Sequence, residues 1–286
     1  MNQNHSFHKF IEGLKGVTVP IAVYYVVRLI AHLLLAALAV SAVRSFGEGG
    51  NRLLTEQEGT INAIIGGFAM LIGILSLLPD FRRTVNKEKK EKEGNDSLLK
   101  ITIVTLLLAI TSSLAVNILF IELHITENSE TYSKVAQKQY GVPFLLGIIL
   151  YGLISPIAEE ILFRGLVYNR LKKYCAVPAA ILLSAVLFGL FHGNLVQGVY
   201  GFLMGCLMAI VYERFGSFLH AVLFHAVANV TVYTVTGMEG LYSLLVTPWI
   251  CVILFGASVA LLCWIWKKCK IEGSDDNSVE EGGKHR

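Results

Sequence analysis

Glu159, Glu160 and Arg164, then His192, then His225 and Asn229 stand in or beside helix-length apolar stretches in the second half of the chain. Carboxylates, imidazoles and a carboxamide are the groups that activate water and stabilise an oxyanion. An ionised side chain at mid-bilayer costs about 2.5–3.5 kcal/mol on insertion scales, so an inert anchor has no use for three of them in one segment. The pattern points to a reaction site sunk into a membrane.

Spacing divides the work among these residues. Glu160 and Arg164 fall one helical turn apart, acid before base, which is the favourable order for an ion pair. Glu159 points about 100° away from that pair and is left free to act on a water molecule. Phe188 precedes His192 by one turn, so its ring can shield the imidazole on one side. His225 and Asn229, again one turn apart, present an imidazole and a carboxamide to the same point, which suits either metal coordination or an oxyanion. On the intervening span, Gly201, Gly205 and Ala209 make a small-residue stripe extended by Gly198, which lets the spans bearing His192 and His225 converge.

The elements that must hold these groups are membrane helices. Of 286 residues, 54% are hydrophobic and 16% charged, too apolar for a soluble domain of this length. Runs of about 20 apolar residues occur at about eight places, near 17–43, 61–79, 101–123, 141–158, 177–193, 196–212, 217–236 and 243–266. An all-α polytopic integral membrane protein is predicted. Its N-terminal region, residues 1–100, carries two spans and a basic loop; residues 101–270 form a helical membrane domain with the catalytic core at 141–236; residues 271–286 form a disordered tail.

Basic residues fall on one side. With the N-terminus inside, 18 Lys and Arg lie in inner segments and four in outer loops, so both termini are expected in the cytoplasm. The first run contains Arg28 and is far longer than a signal-peptide core, so it reads as a retained span. Arg28 and His32, one turn apart there, are expected to snorkel or meet lipid headgroups rather than join the site. His220 is expected at the interface, Trp249, Trp264 and Trp266 as interface anchors, and the sequon at Asn229 is buried in a span. The five cysteines show no paired spacing and read as packing residues. Lipid is the one partner that the lysine-rich loop implies; no nucleic-acid partner is expected.

Taken in order, Glu159-Glu160-x-x-x-Arg164, Phe188-x-x-x-His192 and His225-x-x-x-Asn229 resemble the CAAX protease and bacteriocin-processing (CPBP, or Abi) family of intramembrane proteases. The resemblance covers about residues 141–236 and implies a CAAX-protease-like helical core and an endopeptidase acting on a membrane protein or peptide. It further implies that Glu159 activates water with help from His192, that His225 and Asn229 stabilise the oxyanion, and that Glu160 and Arg164 support them. Members of the family are described both as zinc proteases and as metal-free glutamate proteases. One zinc ion held by His192, His225 and Glu159 would make an open catalytic site, but Asn229 is a poor fourth ligand and there is no H-E-x-x-H helix. Metal-free chemistry is the slightly favoured expectation.

Three consequences follow. A bacterial plasma membrane is the expected location, which disfavours prenylated CAAX substrates and leaves bacteriocin maturation, immunity or cleavage of another membrane protein. The alternatives to a protease are a non-catalytic immunity or adaptor protein and, less favoured for want of an inverted repeat, a proton-coupled transporter. Counting along the spans places Glu159 near the inner face and His192 near the outer one, so the two meet only if the fourth helix runs on towards Tyr174 or the fifth span begins deeper. The placement of Glu159 points to a cytoplasmic opening.

Overall fold

In lipid, a backbone N–H or C=O has no water to turn to, so apolar runs of this length close their hydrogen bonds within helices. A computed structural model describes residues 3–86 and 97–268, and among them there are helices and no strands. In chain order the first five are α1 (Gln3–Arg44), α2 (Glu48–Glu56), α3 (Glu58–Asn86), α4 (Leu98–Glu122) and α5 (Glu130–Tyr140). Then follow α6 (Phe144–Leu171), α7 (Val177–Leu190), α8 (Leu195–Phe215), α9 (Phe218–Gly237), α10 (Glu239–Leu245) and α11 (Pro248–Lys268). The tail at 271–286, Cys269 and most of the lysine-rich loop lie outside the described residues.

Among the described residues seven helices, α1, α3, α4, α6, α8, α9 and α11, are long and apolar enough to cross a membrane. The protein is an all-α, polytopic integral membrane protein. All eight expected spans are helical, but the fifth, α7, has only 14 residues. At about 1.5 Å per residue it is roughly 21 Å long, short of a hydrocarbon core of about 30 Å. Because successive spans run in opposite directions, α5 and α10 lie at the end of the bundle away from the chain termini.

Local sequence sets the element ends. Ser97, Ser129 and Asn194 cap α4, α5 and α8, each side chain accepting a hydrogen bond from a backbone N–H three residues on. Gly216, with φ +62°, terminates α8 in the left-handed conformation that glycine adopts without strain. Packing then assembles the bundle: α1 lies along α3, α7 along α8, and α4 against both α9 and α11, while α6 touches α3, α7 and α9. A core of Leu108, Leu162, Leu166, Met208 and Phe224 fills the middle.

The small-residue stripe of α8 works as expected, and one glycine of α7 completes it. A Cβ on Gly189 would come within 2.5 Å of the Gly198 carbonyl oxygen, so the two backbones approach as closely as glycine permits. Trp249 and Trp266 stand exposed towards the two ends of α11, as interface anchors do. His220 departs from expectation: it is buried, with Nε2 3.2 Å from Thr102 Oγ1, because α9 turns this face onto α4 rather than outwards.

Candidate active site

Helix α6 carries the carboxylates, and it is an unusual helix. Two π-helical stretches, Ile148–Ile154 and Ile161–Tyr168, flank the α-helical turn and a half from Ser155 to Glu160. Such widened turns recur at functional sites because they re-aim side chains and loosen carbonyls from the helical ladder. One such carbonyl, that of Tyr151, accepts a hydrogen bond from Asn229 Nδ2 at 2.9 Å. This ties α9 to α6 and leaves the second amide N–H of Asn229 for another acceptor.

Glu160 is the hub of a buried polar cluster. Its Oε1 accepts from Arg164 Nη1 at 2.8 Å and from His225 Nδ1 at 2.9 Å, and both Glu160 and Arg164 are sealed from solvent. Arg164 also donates Nη2 to the Gly205 carbonyl at 2.9 Å and lies over the Phe188 ring at 4.8 Å. The expected Glu160–Arg164 pair is therefore present, and it reaches further than the sequence suggested. It pins α6 to α8 and fixes which nitrogen His225 turns to the site.

With Nδ1–H spent on Glu160, His225 presents Nε2 towards Glu159, whose Oε2 lies 3.7 Å away. The other oxygen of Glu159 accepts from the Ser155 hydroxyl, one turn earlier on α6. His192 is oriented in the same manner: its Nδ1 lies 3.0 Å from the Phe188 carbonyl and donates to it, which leaves Nε2 for other partners. Phe188 meets both imidazoles edge-on, at 5.0 Å from His192 and 5.5 Å from His225. Gly201 supplies the space, since a Cβ there would meet the His192 ring at 3.1 Å.

Glu159, His192, His225, Asn229 and Phe188 all line one cavity of about 340 Å³. The depth conflict between Glu159 and His192 disappears for two reasons. Helix α6 runs on to Leu171, which puts Glu159 mid-span, and α7 is too short to carry His192 out to the far surface. The cavity rises from these residues towards the ends of the spans near α5, where Tyr200, Tyr233 and four side chains of α5, Tyr132, Val135, Gln139 and Tyr140, close it in. Tyr140 stacks on Tyr233 at 5.0 Å, and burial pushes its phenol up to about 12, so it stays neutral.

Sequence reasoning missed three contributors. Ser155, one turn before Glu159, carries the same spacing signal as the other pairs and could have been found. Tyr151 acts through its backbone, which no side-chain pattern reveals. Arg28, expected at the lipid headgroups, instead lines this cavity, because α1 packs against α3 with this face turned inward. His32 is not among the cavity residues.

A zinc ion would need a converging set of donors. Imidazole and carboxylate are apt ligand types, yet among the described residues no three His, Cys, Asp or Glu side chains converge to hold an ion. His225 Nδ1 is taken by Glu160 and His192 Nδ1 by a carbonyl, so only their Nε2 atoms could serve.

Comparison with known proteins agrees with this architecture. The family described as Type II CAAX prenyl endopeptidase Rce1-like matches residues 141–231, the stretch holding all three motifs. Over this stretch, about a third of its length, the chain is similar to the Rce1-like family. It is also 29% identical over 188 residues to the Bacillus subtilis (strain 168) protein described as "Putative membrane peptidase YdiL", covering 63% of this chain and 74% of that protein. No solved structure matches.

Proposed function

We propose that the protein is an intramembrane endopeptidase in which Glu159 activates water to cleave a peptide bond of a membrane-associated protein or peptide. The observation that carries this reading is the placement of Glu159 Oε2 3.7 Å from His225 Nε2 on the wall of a cavity shared with His192 and Asn229. Both groups border the cavity, where a water can hydrogen-bond to Glu159.

In this mechanism Glu159 takes a proton from the water as its oxygen attacks the carbonyl carbon. The negative charge that develops on the carbonyl oxygen is met by the free N–H of Asn229 and by His225, which Glu160 holds from behind. His192 Nε2 assists proton movement beside Glu159. The proton then passes to the leaving nitrogen, the C–N bond breaks, and a carboxylate and an amine are released. The reaction proposed is metal-free, since no three metal-ligating side chains converge among the described residues.

The charge bias supports cytoplasmic termini in a bacterial plasma membrane. On that orientation the cavity faces the outer half of the bilayer, opposite to the opening suggested by counting along the spans. Its aromatic walls suit an extended apolar peptide.

The test uses the full-length protein in lipid nanodiscs and a library of acyl-anchored fluorogenic peptides. Wild-type protein is expected to cleave members of the library after exhaustive chelation, and Glu159→Gln to lose about 10²- to 10⁴-fold in turnover with its thermal unfolding unchanged. Cleavage retained in Glu159→Gln would overturn the role of Glu159, and loss on chelation restored by zinc would replace the metal-free chemistry. An adaptor or immunity protein would instead keep its biological effect in the Glu159→Gln variant.

A further inference from the structure

Arg28 is the only Lys or Arg among the described residues lining the catalytic cavity, and Glu159 is the only Asp or Glu. The guanidinium has no carboxylate partner among the described residues; its neighbour is the ring of Tyr24, 5.9 Å from Arg28 Cζ. Tyr24 itself is buried and lies within electrostatic reach of both Arg28 and Glu159. A cation held at this depth without a counter-ion is costly, and such residues mark substrate paths rather than structural cement.

Its placement is also rigid. Gly73 of α3 lets α1 approach so closely that a Cβ there would stand 3.2 Å from Arg28 Cβ and 3.1 Å from the Tyr24 ring. The root of the arginine is thus clamped against α3 while its head faces the cavity. Arg28 lies far outside the 141–231 domain, so a segment beyond that domain furnishes one wall of its site. The rest of that wall offers the apolar and aromatic surface of Met70, Phe191 and Phe188.

We propose that Arg28 is a specificity-determining residue that binds a carboxylate of the peptide substrate. This rests on the peptidase reading above and adds the chemical class of substrate: an apolar peptide bearing a negative charge close to the scissile bond. A guanidinium is suited to this because its planar fork grips a carboxylate through two parallel N–H donors and stays charged in any environment. The carboxylate has two sources, the free end of a peptide or the side chain of an Asp or Glu within it.

The experiment compares matched peptides in nanodiscs of zwitterionic lipid: a free C-terminal acid, its C-terminal amide, and the amide with one Asp. Charge-assisted hydrogen bonds predict a preference of roughly 10- to 100-fold in kcat/KM for a charged peptide over the neutral amide. Whichever charged peptide is preferred identifies the source. In Arg28→Gln the preference is expected to fall to about one, in Arg28→Lys to survive in part, and in Arg28→Glu to invert towards a peptide carrying Lys. Equal handling of acid and amide by the wild type, or an undiminished preference in Arg28→Gln, overturns the proposal, as does an effect that follows added anionic lipid instead of peptide charge. The same ratios are read as binding affinities on the Glu159→Gln background by fluorescence anisotropy. A failure of peptide cleavage is thereby separated from a failure of carboxylate recognition.

Discussion

Helices α1 and α6 both carry charge into the membrane, and they accommodate it in opposite ways. Half of the apolar window of α6 is buried in the bundle, against 6% of that of α1. On α6 two charges, Glu160 and Arg164, are caged and Glu159 alone faces the cavity: Glu160 accepts from Arg164 and His225, Arg164 reaches on to the Gly205 carbonyl, and Phe188 covers the guanidinium. On α1 the one charge in the cavity, Arg28, has a ring beside it and no counter-ion among the described residues. Caged charges build structure and orient neighbours. A charge that faces the cavity is kept for something that enters it.

Breaking the cage should therefore cost stability first, with the largest effect at Arg164. Removing one member of a buried charge pair leaves the other uncompensated, at about 3–5 kcal/mol. Arg164→Ala is expected to lower the unfolding temperature in detergent sharply and to abolish turnover, since His225 loses its fixed orientation with Glu160. Arg164→Lys should recover only part of this, because an ammonium cannot reach Glu160 and the Gly205 carbonyl with the same planar fork.

Asn229 sharpens the contrast, since it has one hydrogen bond in the scaffold and one N–H facing the cavity. Asn229→Ala is expected to reduce turnover by about 10²- to 10³-fold, the range for an oxyanion donor. The stability loss should stay near 1 kcal/mol, the usual worth of one hydrogen bond. A variant that unfolds as readily as Arg164→Ala would move Asn229 into the caged group and remove it from the reaction.

How much of this could be read from the sequence follows from the range of each interaction. The all-α polytopic fold was legible because apolar run length is a strong signal in lipid. The pairs one turn apart were legible because helical spacing fixes them; Glu160 with Arg164 is one, and Phe188 with His192 another. The bond from His225 to Glu160 was not, since it joins residues far apart in the chain and depends on how α9 packs on α6. The depth of Glu159 was misjudged for a related reason. Hydropathy fell at Glu159 and Glu160, so the span seemed to end there, yet buried partners let α6 continue to Leu171. Arg28 was assigned to the lipid because nothing in α1 itself shows which face meets α3.

The smallest expected effects separate two glycines that look equivalent in the sequence. At Gly189 an added methyl would strike the Gly198 carbonyl at 2.5 Å and Phe202 N at 3.3 Å, both backbone atoms of α8. Backbone cannot rotate aside, so α7 and α8 must separate, and Gly189→Ala is expected to cost about 1–3 kcal/mol of stability. At Gly201 the added methyl would meet the His192 ring at 3.1 Å, and an imidazole half-exposed to the cavity can swing away. Gly201→Ala should therefore lose under about 1 kcal/mol of stability. It would still displace the His192 ring within the cavity and depress turnover. Paired thermal unfolding and peptide-cleavage assays on the two variants check this; equal stability losses would mean that the ring at His192 is held as firmly as the backbone around it.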